Sequence, residues 1–140
     1  MINVLKFLSS MHEELKTDFE YGQRNKYDGE RITRDPLRYN CTNLAKEVTR
    51  LFISDGKRPK IIRIGRQDSE GHFLDRLFPK IYEGHEGWRY HDVCILDSRV
   101  YDPMVGVPLE LDDYFEKYFG QKFEIHEHRF LKEKIQNGSL

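Results

Sequence analysis

Cys41, His91 and Asp102 are three residues whose types, taken together, could do chemistry. A thiol supplies a nucleophile, an imidazole takes and returns its proton, and a carboxylate fixes the imidazole's tautomer and stabilises its charged form. Cys41 lies just before an apolar stripe, Leu44, Val48, Leu51 and Phe52, with Ala45 beside it. Such a stripe predicts a helix that starts near Asn40 and puts Cys41 in its opening turn. The free amides and partial positive charge there favour a thiolate, and they can also hold an oxyanion formed one bond away. Asn40 is a good helix N-cap and the candidate side chain for the oxyanion site.

His91 belongs to an apolar run from Trp88 to Asp97, and Asp102 to a second run from Val100 to Val105. A tight polar turn between them, read around Ser98-Arg99, predicts a hairpin. With the turn placed at Asp97-Ser98, Leu96 pairs with Arg99, Ile95 with Val100 and Val93 with Asp102. Asp102 is then the diagonal neighbour of His91 on one face, roughly 7–8 Å away at Cα. A turn at Ser98-Arg99 keeps both on one face but farther apart. A three-residue turn puts them on opposite faces.

The surrounding elements follow from periodicity. Val4, Leu8, Met11, Leu15 and Phe19 predict a first helix ending near Tyr21-Gly22, with a polar loop over residues 22–39. Asp55-Gly56 stops the second helix, and Lys60 to Gly65 reads as a strand. Residues 66–87 form a long excursion with room for one helical turn. Pro108 opens a short helix that Gly120 ends. Gln121 to Phe130 reads as the last strand, followed by a loose tail. Helices preceding an antiparallel sheet make the fold class α+β, in one domain over residues 1–140.

Composition narrows the class. The 140 residues carry 23 Lys and Arg against 24 Asp and Glu, so a basic nucleic-acid-binding face is not expected. The 13% aromatic content argues against disorder. Two cysteines make no disulfide framework, and Cys94 between Val93 and Ile95 reads as core. No apolar run is long enough to span a bilayer, and the opening residues lack a signal peptide's pattern. The expectation is a cytoplasmic protein, or one exported as a toxin or effector without a cleaved leader. His126-Glu127-His128 puts two rings on one strand face, but zinc needs a third ligand, so a solvated edge strand is expected and no metal. Lys57-Arg58-Pro59-Lys60 suits a helix C-terminus. No phosphate loop or dinucleotide fingerprint is present, and no cofactor is expected.

A helix-capping Cys, a strand His and an Asp on the next strand resemble the order of papain-like and transglutaminase-like cysteine enzymes. Trp88-Arg89-Tyr90-His91-Asp92-Val93, followed by Val100-Tyr101-Asp102-Pro103, is similar to that superfamily's pattern. Bacterial papain-fold toxin domains and protein-glutamine deamidases are the nearest in kind. The resemblance covers roughly residues 38–119. It implies a papain-like core, a Cys41-His91-Asp102 triad, a thioester intermediate, a substrate groove flanked by Trp88 and a protein substrate, with a target or immunity protein as partner. Arg38-Tyr39-Asn40-Cys41-Thr42 departs from the peptidase pattern, which argues against ordinary endopeptidase activity. Deamidation of a protein glutamine is the first expectation. A cysteine peptidase or acyltransferase is the second, and a binding module without chemistry the third.

Overall fold

A computed structural model of the chain describes residues 2–25, 41–74, 76–82 and 87–140. The elements in order are α1 (Ile2–Asn25), α2 (Cys41–Ser54), β1 (Lys60–Ile64), β2 (His91–Leu96), β3 (Arg99–Tyr101), β4 (Leu109–Glu110), α3 (Leu111–Tyr118), β5 (Ile125–Glu127) and α4 (Arg129–Gln136). The fold is α+β, with helices packed on a five-stranded antiparallel sheet of order β4-β3-β2-β1-β5.

Register decides what each sheet face carries. Ile61 pairs with Cys94, Ile62 with Val93, Arg63 with Asp92 and Ile64 with His91. Paired residues share a face and alternate along the strand. Cys94 and Tyr101 therefore join Val48 and Phe52 of α2 and Val4 and Leu8 of α1 in one cluster. Ile62, Ile64, Val93 and Val100 face the other way, into a layer closed by Leu77, Met104, Tyr114 and Phe115. The core thus lies on both faces of the sheet, and β2 runs through its middle.

The β2–β3 hairpin turns at Asp97-Ser98, both in the left-handed region (φ 50° and 66°). That is the two-residue turn whose twist matches its strands. Leu96 pairs with Arg99, Ile95 with Val100 and Cys94 with Tyr101. Asp102 follows directly, on the face that carries His91.

The structure revises several boundaries. Helix α1 runs past Tyr21-Gly22 to Asn25, because one glycine costs a helix about 1 kcal/mol and does not end it. Of the loop expected over residues 22–39, only 22–25 are described, and they are helical. Residues 66–88 form no helical turn among the described residues; bridges from Gln67 to Phe73 and from Leu77 to Trp88 fold them instead. Leu109–Glu110 is a strand and not the start of the helix, because β3 offers it an open edge. The last strand keeps only the residues that find partners on β1. The tail is not loose: it forms α4, whose Leu131 and Ile135 pack on Ala45 and Ile61. His126-Glu127-His128 does sit at the sheet edge, in β5 and the residue after it.

Glycine is required at one turn near the site. Gly106 has φ +84°, and a Cβ there would lie 2.9 Å from the His12 ring. His12 also pairs through Nδ1 with the Met104 carbonyl at 2.8 Å, which ties α1 to the turn after Asp102.

Leu131 is only 1% exposed. Leu131→Ala is expected to lower the unfolding free energy by about 2–5 kcal/mol in urea titration; a change within 0.5 kcal/mol would show that α4 does not dock.

Candidate active site

Cys41 is the first residue of α2, and its side chain is partly exposed. The helix is built from Leu44, Ala45, Val48 and Phe52, which bury one stripe and leave its first turn at the end of the sheet where β2 begins. His91 is the first residue of β2 and is 4% exposed. Asp102 closes the hairpin and is also 4% exposed.

The carboxylate of Asp102 divides its work. Its Oδ1 accepts the Met104 amide at 2.9 Å, completing the turn that Val105 and Gly106 also close onto the Asp102 carbonyl. Its Oδ2 pairs with His91 Nε2 at 2.8 Å and accepts the Tyr114 hydroxyl at 2.6 Å. With Nε2 occupied, Nδ1 is the nitrogen left for Cys41. Nδ1 is buried and makes no well-formed hydrogen bond among the described residues. The thiol is nevertheless close enough to the ring to feel its charge and a partial hydrogen bond. A loose contact of this kind is common before substrate tightens a site.

The electrostatics match that geometry. Burial would raise the Cys41 thiol, but the hydrogen bond and charge of His91 and the Asp92 amide outweigh it. The Asp92 carboxylate opposes them, and the net value falls below the ordinary 9.0. Burial would lower His91, but the charge and hydrogen bond of Asp102, helped by Cys41, hold it above the ordinary 6.5. The pair therefore favours thiolate with imidazolium. Asp102 is itself lowered: burial opposes, while His91, Tyr114 and the Met104 amide prevail. Burial and the Asp102 charge keep the Tyr114 phenol protonated, so it donates. Cys94 is the contrast, fully buried and pushed up to about 12 by burial. It is core, as expected.

A second set of side chains fixes the thiol's platform. Asp92, 2% exposed, receives Arg63 Nε on Oδ1 at 2.8 Å and Nη2 on Oδ2 at 2.9 Å. The Thr42 hydroxyl donates to Oδ2 at 2.7 Å. Thr42 neighbours Cys41, so this carboxylate joins the opening turn of α2 to β1 and β2. Arg63 also lies 3.9 Å over the Tyr90 ring. A bidentate pair of this type gives direction as well as energy.

Trp88 stacks on His91 with centroids 4.4 Å apart and planes 12° apart. It covers one face of the imidazole, and its backbone is held by two bonds to Leu77, at 2.7 and 2.9 Å. Asn40 lies outside the described residues. Sequence reasoning missed Tyr114, Arg63, Asp92 and Thr42. The signal for two of them was present: Arg63 and Asp92 are opposite charges set within apolar strands. No group of three or more metal-ligating side chains occurs among the described residues. None of their helices is long and apolar enough to cross a membrane.

Cys41 is expected to react with iodoacetamide well below pH 9, and far faster than Cys94. In Asp102→Asn the support for imidazolium is lost, so the labelling profile of Cys41 should move to higher pH; an unmoved profile would show the carboxylate has no hold on the thiol. The two carboxylates also link stability to pH. Asp92 is held below the ordinary 3.8, where Arg63 and Thr42 outweigh its burial. Its contribution is therefore present above that pH and is lost as pH falls through the folded value. Between about pH 5 and pH 3, Asp92→Asn should lose stability less steeply than the unchanged protein in urea titration. Neither a protein-family model, a curated protein nor a solved structure matches the chain, so its functional reading rests on these side chains.

Proposed function

We propose that the chain is a cysteine-dependent hydrolase that acts on a carboxamide through Cys41, His91 and Asp102. One observation carries the reading. A partly exposed thiol at a helix start is held below its ordinary value by a buried imidazole, whose Nε2 is fixed by a carboxylate.

The proposed steps follow from those positions. The Cys41 thiolate attacks the carbonyl carbon, and the oxyanion is received by the amides that open α2. His91 gives its proton to the departing nitrogen, which leaves as ammonia, and a thioester remains. Water then attacks the thioester as His91 takes its proton. The carbon–sulfur bond breaks, and a carboxylic acid leaves. Asp102 stabilises the imidazolium throughout without itself being protonated. Trp88 keeps water from one face of the ring.

The preferred substrate is a glutamine side chain in a protein, which makes the reaction a deamidation. The departure from the peptidase pattern at Arg38 to Thr42 supports this over cleavage of the backbone, and so does the resemblance to deamidase and toxin domains.

Incubation with a glutaminyl protein should release ammonia without creating new N-termini. Cys41→Ala should abolish release, and His91→Gln should lower it by at least about a hundredfold. New N-termini would make the protein a peptidase, and equal release by Cys41→Ala would end the triad reading.

A further inference from the structure

A cleft of about 700 Å³ opens between the end of β1, the edge strand β5 and the start of α4. Its walls carry Arg63, Arg129 and Lys132, together with His126 and His128. The one carboxylate in the wall, Glu127, lies 3.5 Å from Lys132. Counting Asp92, which Arg63 holds, three cations of the wall meet two carboxylates, and the balance of charge is carried by Arg129.

The donors of this cleft are more numerous than its acceptors. Arg63 uses Nε and Nη2 on Asp92, and its Nη2 also lies 3.4 Å from His128 Nε2. Arg129 makes no ion pair among the described residues. His128 Nδ1 is buried without a hydrogen-bond partner. His128 is also the N-cap of α4, and no side-chain bond caps that helix's first turn. Amides in that position carry a partial positive charge. A ligand that satisfies donors of this kind offers only acceptor oxygens and a negative charge: a carboxylate or a phosphate.

The cleft is joined to the reacting thiol through Arg63 and Asp92. Arg63 sits in its wall and grips Asp92, whose amide reaches the Cys41 thiol, and the charge of Cys41 is felt at Arg63. We propose that this cleft is the subsite for an acidic group on the substrate protein, an Asp or Glu carboxylate or a phosphorylated side chain flanking the target carboxamide. The proposal deepens the hydrolase reading and rests on it for the identity of the carboxamide. The walls select substrates by charge, while Cys41 and His91 act on whichever amide that charge positions.

Binding can be tested without turnover, on the full chain carrying Cys41→Ala. The probes are glutaminyl peptides whose flanking residues are glutamate, phosphoserine or neutral, with inorganic phosphate alone as a fourth. Calorimetry reads affinity, and the ring resonances of His126 and His128 report contact. The glutamate or phosphoserine peptide should bind at least about tenfold tighter than the neutral one and shift the His128 ring. Arg129→Gln combined with Lys132→Gln, both at outward-facing positions, should remove that preference. Tighter binding of the phosphopeptide alone would name phosphate as the group recognised, and equal binding of both acidic peptides would name charge; either supports the proposal. Equal affinity for the neutral peptide, or a preference that survives the double variant, would overturn it. Ammonia release by the unsubstituted chain is scored separately. Acidic peptides that bind but are never deamidated would retire the hydrolase reading and leave the anion site standing.

Discussion

The Oδ2 atom of Asp102 is the point on which the site depends. It is buried, it carries charge, and it pairs with both an imidazole and a phenol. Taking a carboxylate out of water is costly unless its lone pairs are filled. Here Tyr114 of α3, His91 of β2 and the Met104 amide fill them, so three separate parts of the chain must arrive together. The arrangement links folding to electrostatics. The contacts that make this carboxylate tolerable inside the protein also raise His91, and through it lower Cys41.

Asp92 does the corresponding work on the other side of β2. Neighbouring residues of a strand point to opposite faces. His91 therefore meets Asp102 on one face, while Asp92 meets Arg63 and Thr42 on the other. A single dipeptide thus anchors both the imidazole and the helix turn that carries the thiol. Apolar packing alone would leave that turn free to shift along its stripe. A bidentate ion pair and a hydroxyl bond are directional, and they fix its position against the strand.

Much of this is legible in the sequence. The stripe of α2 marked Cys41 as a helix start, and the hairpin register put Asp102 beside His91 once the turn was set at Asp97-Ser98. Asp102 precedes Pro103 in a common turn pair, and its carboxylate serves both the turn and the imidazole, one oxygen for each. What stayed hidden was long-range. Tyr114 reads like any aromatic of a short amphipathic helix, because its hydroxyl partner lies on another element. Helix α4 leaves little trace in the sequence because eight residues with two buried apolar positions carry little periodicity, and its stability comes from docking on Ala45 and Ile61. Strand β4 exists because β3 presents an edge to it, a fact of tertiary arrangement that no local pattern records.

The hairpin turn has a consequence for how the chain could change over generations. Its two left-handed residues, Asp97 and Ser98, are exposed, so their identities are open to drift toward asparagine or glycine. Their number is not. Gaining or losing one codon there would rotate everything after Leu96 by half a pleat and carry the carboxylate away from the imidazole. Descendants of this chain that keep the site should differ freely in the letters of the loop while preserving its count.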